Sequence, residues 1–367
     1  MLGILILSFG IKEYDGRLNE LCNVASKIGN YELVCFTKDE NSKDYLVSKN
    51  KHLSVNNYIK FLLLSLKIAK EMKEIDILIL DNMFSTIPGT LVKTFYKPKF
   101  VVQDVRELYF YKDIKNTTGK IFSFFETYSL KRADVVLCAN KFRAEIMFKH
   151  YKLSKMPIVF ENIRFLNGTF DKQLMKIKYR SLFNHKYNII NTGGYSLSRK
   201  TADLVSSMEH LSDEYGLYIV GEGTIKDKET IEKIMFEKKI NNVYLLGKVP
   251  MNELRFFLRQ CDIGIVSYHK NDLNNFYCAS GKVYEYLAEG IPIVTTENLP
   301  LKDFCTTNEV GIADDSFVKG IIELTNKLEF YKEKVVNYIN NVSPELNNNK
   351  VSKEILNELW KIGLKHE

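Results

Sequence analysis

The arrangement of apolar segments constrains the fold of this chain more than any other feature. Short runs of aliphatic and β-branched residues alternate with helix-length amphipathic segments, which is typical of strand–helix–strand units. The predicted strands of the first half are Ile4–Ser8, Glu32–Thr37, Asp76–Leu80, Lys99–Gln103, Asp134–Cys138 and Pro157–Phe160. The pattern lapses over Ile163–Asn184 and resumes at Asn188–Asn191, Tyr218–Val220, Val243–Leu246, Ile263–Val266, Ile293–Thr295 and Gly311–Ala313. We therefore predict an α/β protein with two doubly wound parallel sheets.

The length of 367 residues also favours two domains, because single domains usually hold about 100–200 residues. We expect Rossmann-like domains at residues 1–170 and 171–345, followed by a helix within 346–367 that packs across a domain surface. Ligands of open parallel sheets bind outside the carboxyl ends of the strands. We therefore expect the two domains to face each other across a cleft that holds the substrates.

The net charge of +7 is unevenly distributed. Residues 1–185 hold 30 lysines and arginines against 19 acidic residues, whereas residues 186–367 hold 22 against 26. A basic half attracts nucleic acid, anionic lipid or a phosphate-bearing substrate through the same long-range field. A lysine-rich surface without a partner is the alternative.

The cysteines and the apolar segments bear on location. The six cysteines are scattered without a Cys-x-x-Cys pair, so we expect reduced thiols. The apolar start MLGILILSFG is short and has no preceding basic region, which favours a first core strand over a signal peptide. No segment reaches the roughly 18 uninterrupted apolar residues of a membrane-spanning helix. These observations predict a cytoplasmic protein.

Several cofactor motifs are absent from the sequence. No Gly-x-Gly-x-x-Gly follows the first strand, and no phosphate-binding Gly-x-x-x-x-Gly-Lys-Ser/Thr segment occurs. The sequence also lacks an Asp-x-Asp pair, the commonest acidic motif of metal-dependent sugar transferases. We expect neither a dinucleotide cofactor nor a metal ion.

The most informative segment is Ser280–Pro292, which reads SGKVYEYLAEGIP. A helix that opens at Ser280 and Gly281 presents free backbone N–H groups and a positive dipole end, both suited to a diphosphate. Lys282 adds a positive charge. One turn later, the carboxylate of Glu285 can accept hydrogen bonds from both ribose hydroxyls, as the acidic residue of dinucleotide-binding folds does.

In this segment the chain resembles the donor-binding signature of retaining GT-B glycosyltransferases of family 4, often S-P-x-K-x-x-E-Y-x-x-x-G-x-P. Ser280, Lys282, Glu285 and Gly290 lie in that frame, with one residue fewer between the serine and the lysine. The resemblance implies a GT-B fold, a nucleotide diphosphate sugar as donor, with a UDP-sugar favoured, and retention of the anomeric configuration.

Other segments resemble the same family in the expected order. Asn191–Lys200 (NTGGYSLSRK) resembles the second donor segment, in which Lys200 matches the lysine that neutralises the leaving diphosphate and Arg199 lies beside it. The Gly221–Gly223 turn and the loop at Val249 match further donor elements. The resemblance therefore implies donor contacts from Gly194, Lys200, Gly223, Val249, Ser280, Gly281, Lys282 and Glu285.

The N-terminal half resembles the family more loosely. Gly16, within Asp15–Arg17, matches a small-residue turn that approaches the donor phosphate and the acceptor. Gln103–Leu108 (QDVREL) ends a strand where relatives read D-x-H-[DE]-L, with Arg106 in place of the histidine. Arginine cannot exchange protons near neutral pH, so we expect Arg106, a candidate catalytic residue, to bind acceptor phosphate, with Asp104 and Glu107 also at the acceptor. A plain charge cluster at a strand end is the alternative.

Two further departures concern the donor. Tyr277 stands where relatives with two glutamates carry the first, and Gly194 stands where many carry an arginine. Arg199, His269 or Asn275 are the candidates to supply the missing contacts.

Two segments mix basic and apolar residues, Asn57–Lys73 and Asp113–Arg132. Such helices can lie on an anionic membrane surface, although most are amphipathic core helices. The sequence therefore allows two interpretations of these segments: peripheral contact with the inner face of the plasma membrane, or packing in the core.

The sequence as a whole predicts transfer of a hexose or N-acetylhexosamine to a hydroxyl acceptor, a sugar or lipid-linked sugar, in cell-surface polysaccharide or glycoconjugate synthesis. Nucleic acid is not an expected partner. A nucleotide-sugar epimerase shares the fold, but it needs several acid/base groups around the sugar. The chain has only six histidines, which disfavours an epimerase. A non-catalytic subunit that supports a partner transferase is the other alternative, favoured by Tyr277, Gly194 and Arg106.

Overall fold

The computed structural model describes residues 2–36, 45–46 and 55–364. These residues form two compact units: unit 1 comprises Met1–Asn162 and Pro344–Glu367, and unit 2 comprises Ile163–Ser343. The divisions therefore fall at 162/163 and 343/344, where the sequence analysis put domain limits at 170/171 and 345/346.

Unit 1 contains a sheet of seven parallel strands in the order β3-β2-β1-β4-β5-β6-β7. Its strands are β1 (Leu2–Ile11), β2 (Gly29–Phe36), β3 (Tyr45–Leu46), β4 (Ile77–Asp81), β5 (Phe100–Val105), β6 (Val135–Cys138) and β7 (Ile158–Val159). All six predicted strands are confirmed within a few residues, and Thr37 of the second lies outside the described residues. The short strand β3 was not predicted.

Helices cover both faces of this sheet, which is why its strands are nearly continuous apolar runs. The helices between the strands are α1 (Gly16–Ser26), α2 (Val55–Met72), α3 (Thr86–Tyr96), α4 (Thr117–Leu130) and α5 (Lys141–Tyr151). Alternate residues of β1 serve different cores: Ile4 and Ile6 pack with the α1 side, whereas Leu5 and Leu7 pack with the α2 side. All four side chains are fully buried.

Unit 2 contains a second parallel sheet of six strands in the order β10-β9-β8-β11-β12-β13. Its strands are β8 (Tyr187–Asn191), β9 (Tyr215–Val220), β10 (Val243–Gly247), β11 (Ile263–Val266), β12 (Ile293–Thr295) and β13 (Gly311–Ala313). Its helices are α6 (Lys172–Lys178), α7 (Thr201–Ser207), α8 (Ile225–Glu237), α9 (Met251–Leu258), α10 (Leu273–Phe276), α11 (Gly281–Ala288), α12 (Leu299–Asn308), α13 (Phe317–Asn326) and α14 (Leu328–Ile339). The second predicted sheet is confirmed strand by strand.

Each sheet reverses its winding direction at one place. In unit 1 the reversal lies between β1 and β4, and in unit 2 it lies between β8 and β11. The loops that leave two such strands diverge to opposite faces, which opens a crevice at their carboxyl ends. These two crevices are the places where the fold favours a ligand.

The last helix, α15 (Pro344–Lys361), belongs to unit 1. Val351, Ile355 and Leu359 recur at helical spacing and are fully buried in the core that contains α1. Asn348 Nδ2 also donates to Glu20 of α1 at 2.6 Å. Trp360 points away from this core and is more than half exposed.

Three further observations bear on the expected location and chemistry. Within the described ranges, none of the helices combines the length and the apolar character that spanning a bilayer requires. All six cysteines are buried, and no disulfide joins any two of them in the part of the chain that the structure covers. The same residues form no cluster of three or more histidine, cysteine, aspartate or glutamate side chains suited to a metal ion.

Candidate functional site

The candidate site of unit 2 forms at the carboxyl ends of β8 and β11. The loop after β8 runs from Thr192 to Lys200, and the segment after β11 runs through α10 to the start of α11. Tyr286 of α11 joins the two, because its buried hydroxyl accepts the Thr192 N–H at 2.9 Å. The family frame contained this tyrosine, but its tie to the first loop was not predicted.

Helix α11 begins and ends as the sequence predicts. Ser280 is extended and lies at the N-cap, although its hydroxyl makes no capping hydrogen bond. The helix ends before Gly290, whose φ of +83° suits glycine, and Pro292 follows. Val283 and Leu287 anchor the helix in the core of unit 2. The first-turn backbone N–H groups therefore stay at the crevice.

Lys282 lies inside this crevice with little acidic compensation. Its ammonium is 2.6 Å from the position that a Cβ on Gly193 would take, so a side chain at position 193 would require the lysine to move. No carboxylate within the described residues lies within ion-pair distance of it. Burial, with Arg199 and Arg164 nearby, lowers the pKa of Lys282 to about 8 against the opposing effect of Glu285. Such a site gains from an anion.

The predicted basic pair divides into two roles. The Arg199 guanidinium lies over the Tyr268 ring, 4.2 Å from its centroid, and its buried Nη1 has no hydrogen-bond partner among the residues that the structure describes. Lys200 follows with a left-handed φ of +57° and its ammonium 3.8 Å from Asp203. Arg199 thus points an unsatisfied donor inward, a feature that calls for an acceptor.

Glu285 is 7% exposed and holds an ion pair that the sequence analysis missed. Arg164 Nε donates to Glu285 Oε1 at 2.6 Å. The two residues are separated by 121 positions, so no local pattern signals the contact. The arginine comes from the segment that was treated only as a break between domains.

Glycines allow the neighbouring loops to pack tightly. Gly194 has a φ of +67°, and a Cβ on it would lie 2.2 Å from the Glu222 carbonyl oxygen. Gly221, at φ +110°, packs against the backbone of Gly194 and donates to the Gly247 carbonyl at 2.6 Å. No side chain fits at Gly194. The arginine expected from the resemblance is therefore excluded here by the backbone itself.

The remaining predicted donor residues lie at the same edge of the sheet. Gly223 packs against the Tyr195 ring, and a Cβ there would approach the ring to 2.8 Å. Val249 is half-buried in the loop after β10, next to the exposed Lys248. The structure thus brings the loops after β8, β9 and β10 to one edge together with α11.

The loop that carries Tyr277 is held by a buried asparagine. Asn298 Nδ2 donates to the carbonyl oxygens of His269 and Asn275 at 3.2 and 2.8 Å. The Asn275 side chain is itself occupied by Asp272, at 2.8–3.0 Å. Asn275 is therefore less available than expected to replace the missing glutamate, and Tyr277 stays half-buried beside it.

In unit 1, the predicted acceptor residues belong to a network of ion pairs. Arg106 donates to both carboxylate oxygens of Asp81, at 2.5 and 2.7 Å, and to Asp15 at 2.5 Å. Burial raises the pKa of Asp81, with Arg106 opposing this shift. Arg106 is thus already neutralised, so an acceptor phosphate would compete with two carboxylates.

A second pair lies beside it. Asp104 is fully buried and accepts from Arg17 Nε at 2.9 Å and Nη2 at 2.6 Å. This pairing leaves Asp104 without an exposed oxygen for an acceptor, in contrast to the expectation above. Glu107 is exposed, and Gly16 opens α1 behind the Asp15 cap. The charge cluster that was weighed as the alternative describes Asp81, Asp104 and the two arginines well.

Comparisons with known proteins identify similar sequences. Residues 186–327 match the family model of group 1 glycosyl transferases. An uncharacterised glycosyltransferase of Methanocaldococcus jannaschii is 20% identical over 329 residues, which cover 87% of this chain and 83% of the relative.

Solved structures share the fold over the whole chain. A sucrose-phosphate synthase of Thermosynechococcus elongatus superposes with a TM-score of 0.73 and 13% identity, covering 99% of this chain and 100% of that one. Anabaena HepE, solved with UDP and glucose, has a TM-score of 0.68 and 12% identity, with 97% and 99% covered. The chain therefore has the GT-B fold, and residues 186–327 match the group 1 glycosyl transferase family.

Proposed function

We propose that this protein is a glycosyltransferase that transfers a hexose or N-acetylhexosamine from a nucleotide diphosphate sugar, with a UDP-sugar favoured, to a hydroxyl of a sugar or lipid-linked sugar. The observation that carries the proposal is the charge at the start of α11. Arg164, Arg199 and Lys282 converge there, and within the described residues Glu285 is the carboxylate that opposes the lowered pKa of Lys282. A diphosphate supplies the missing negative charge, and the free N–H groups of α11 supply donors.

In this proposal each donor residue has a separate task. Glu285 accepts hydrogen bonds from the ribose hydroxyls, and Lys282 with the start of α11 binds the diphosphate. Lys200 and Arg199 stabilise the negative charge that develops on the leaving phosphate. Gly194, Gly223 and Val249 form the backbone wall on which the nucleotide rests.

We further propose that the anomeric configuration is retained. The acceptor oxygen forms its bond to the anomeric carbon on the face from which the nucleotide diphosphate leaves. The acceptor proton then passes to an oxygen of the leaving phosphate, so no protein carboxylate is needed as the base. Analysis of the product linkage by nuclear magnetic resonance distinguishes retention from inversion.

The decisive assay uses the purified full chain with UDP-, GDP- and dTDP-sugars, following release of nucleotide diphosphate with and without a lipid-extract acceptor. Acceptor-dependent release supports the transferase. Tight nucleotide binding without turnover would identify a non-catalytic subunit, and an isomerised donor would identify an epimerase. Parallel reactions with a chelator test the expectation that no metal is required.

A Lys200→Ala variant tests the catalytic role within that assay. If Lys200 acts mainly on charge that develops in the transition state, turnover falls more than donor affinity. Equal losses in both would show that Lys200 only anchors the donor. Lys226→Ala, an exposed lysine at the start of α8, is the matched control.

Unit 1 supports a membrane-bound acceptor. On α4 the exposed side chains Ile121 and Phe124 alternate with Lys120, and on α2 the exposed Ile59 and Leu63 flank Lys60. The two helices touch through their inner faces, where the Tyr58 and Phe122 rings are 5.1 Å apart. Their outer faces combine apolar side chains with lysines, which suits an anionic lipid surface.

We propose that this face rests on the inner leaflet of the plasma membrane, where polysaccharide or glycoconjugate acceptors are assembled. Vesicles of phosphatidylglycerol and phosphatidylcholine in equal parts should carry the protein upward in flotation, and pure phosphatidylcholine should not. The Ile121→Ser/Phe124→Ser variant should lose this binding. Phe236→Ser, which removes an 85% exposed phenylalanine of unit 2, should keep it. Equal binding by both variants would refute the membrane face.

A further inference from the structure

The ion pair between Arg164 and Glu285 lies at the centre of the proposed donor site. The carboxylate is almost buried, whereas the arginine side chain is 41% exposed. One Glu285 oxygen is therefore occupied by a residue that itself reaches solvent. Glu285 is also the group that we assign to the ribose hydroxyls, so the free protein holds a competitor for its own substrate.

The guanidinium is placed against the first residue of α11. A Cβ on Gly281 would lie 2.6 Å from Arg164 Nε and 2.8 Å from its Cζ. This is the helix start whose free N–H groups suit a diphosphate. Arg164 therefore lies beside both places that a nucleotide diphosphate would occupy, the ribose carboxylate and the phosphate-binding turn.

The charges around the Arg164–Glu285 ion pair show why a ligand can open it. Lys282 lies close enough to Arg164 and to Arg199 for each arginine to lower its pKa. Among the residues that the structure describes, the three cations Arg164, Arg199 and Lys282 are balanced at this site by the carboxylate of Glu285, so the free site keeps excess positive charge. A guanidinium binds phosphate oxygens through two parallel N–H groups, at least as well as it binds a carboxylate.

We propose that Arg164 is a switching ligand of the donor site, pairing with Glu285 when the site is empty and moving to the diphosphate when the ribose takes the carboxylate. This inference rests on the proposed function and adds a residue to it. The exchange keeps Arg164 paired in both states. A nucleoside also breaks the ion pair, but it has no phosphate to which Arg164 can bind. The switch therefore selects nucleotide diphosphates over nucleosides.

The switch predicts opposite effects of one substitution on two ligands. Arg164→Gln frees Glu285, so uridine should bind several-fold more tightly. The same change removes a phosphate ligand, so UDP should bind about tenfold more weakly. Titration calorimetry of the full chain with UDP and with uridine measures both. If the nucleotide panel favours another base, that diphosphate and its nucleoside replace them.

Each other outcome overturns the switch. Weaker binding of both ligands would mean that Arg164 only orders Glu285, and tighter binding of both would mean that it only blocks the site. Unchanged affinities would mean a solvent-exposed pair without a role. Absence of UDP binding by the wild-type protein is a separate result, because it refutes the proposed function itself.

Two further variants guard against trivial explanations. Arg164→Lys keeps the charge and should retain UDP affinity within a few-fold of wild type, which a loss of folding would not allow. Arg259→Gln removes a comparable guanidinium, 49% exposed and 2.5 Å from the carboxylate of Glu289. It should leave both affinities unchanged. Circular dichroism of all three variants confirms that unit 2 is folded.

Discussion

The proposed contact between Glu285 and the ribose gives the sharpest prediction. In Glu285→Gln the side chain keeps its size but loses its charge and one acceptor. Two hydroxyl hydrogen bonds to a carboxylate are each worth about 1.5–3 kcal/mol. Against this, the nucleotide no longer has to displace Arg164, whose partly exposed ion pair is worth at most about 1 kcal/mol.

The net expectation is a loss of about 2–5 kcal/mol in UDP binding, or between about thirtyfold and a few thousandfold in Kd. Titration calorimetry measures it, and circular dichroism verifies the fold. Glu289→Gln is the matched control, since Glu289 is also nearly buried and bound to two arginines, Arg255 and Arg259, at the other end of α11. It should leave UDP affinity unchanged.

The ligand can be varied together with the protein. Wild-type protein should bind 2′-deoxy-UDP more weakly than UDP, because one hydroxyl contact is lost. In Glu285→Gln that difference should shrink, since the carboxylate that reads the hydroxyl is gone. UDP affinity of Glu285→Gln within about threefold of wild type, or an undiminished preference for UDP, would refute the ribose contact.

Three further predictions follow from the structure. The pKa of Lys282 is about 8 in the free protein, and a bound phosphate favours the charged lysine, so UDP affinity should fall as the pH rises above about 8. Binding near that pH should take up protons, which calorimetry in buffers of different ionisation heat measures. Equal binding heats in these buffers would contradict this prediction. Gly194→Arg, which introduces the residue expected from the resemblance, should lower the free energy of unfolding by about 1–3 kcal/mol without improving UDP affinity, because a Cβ meets the Glu222 carbonyl. Burial raises the pKa of Glu126 to about 8, so its neutral form is favoured in the fold and stability is lost as the pH rises from about 4.5 to 8. Glu126→Gln should raise the Tm near pH 8 and leave it unchanged near pH 4, whereas the exposed Glu145→Gln should leave the Tm unchanged at both pH values.

The sequence predicts the sheets well because their strands are buried on both faces. Apolar runs such as Ile4–Ser8 and Ile263–Val266 have no other stable place in a soluble protein. Both ends of α11 were also predictable, since Ser280 is a local signal of a helix start, and Gly290 and Pro292 are local signals of a helix end. The two-residue strand β3 has too few residues to produce a pattern.

The parts of the site that escaped prediction depend on contacts between distant segments. Arg164 meets Glu285, and Tyr286 meets Thr192, only after unit 2 has folded. Asp104 resembled an acceptor residue by position, yet Arg17 from α1 takes both its oxygens. Local spacing indicates which residue types are present at a strand end. It does not indicate which of them satisfy each other.

The position of α15 has a consequence for biosynthesis. Unit 2 is one continuous stretch, Ile163–Ser343, inserted between the main part of unit 1 and its closing helix. During translation, all of unit 2 leaves the ribosome before Val351 and Ile355, which complete the core against α1. Unit 1 therefore waits with an exposed apolar surface while unit 2 folds, and a nascent chain stalled before residue 344 should engage chaperones through unit 1.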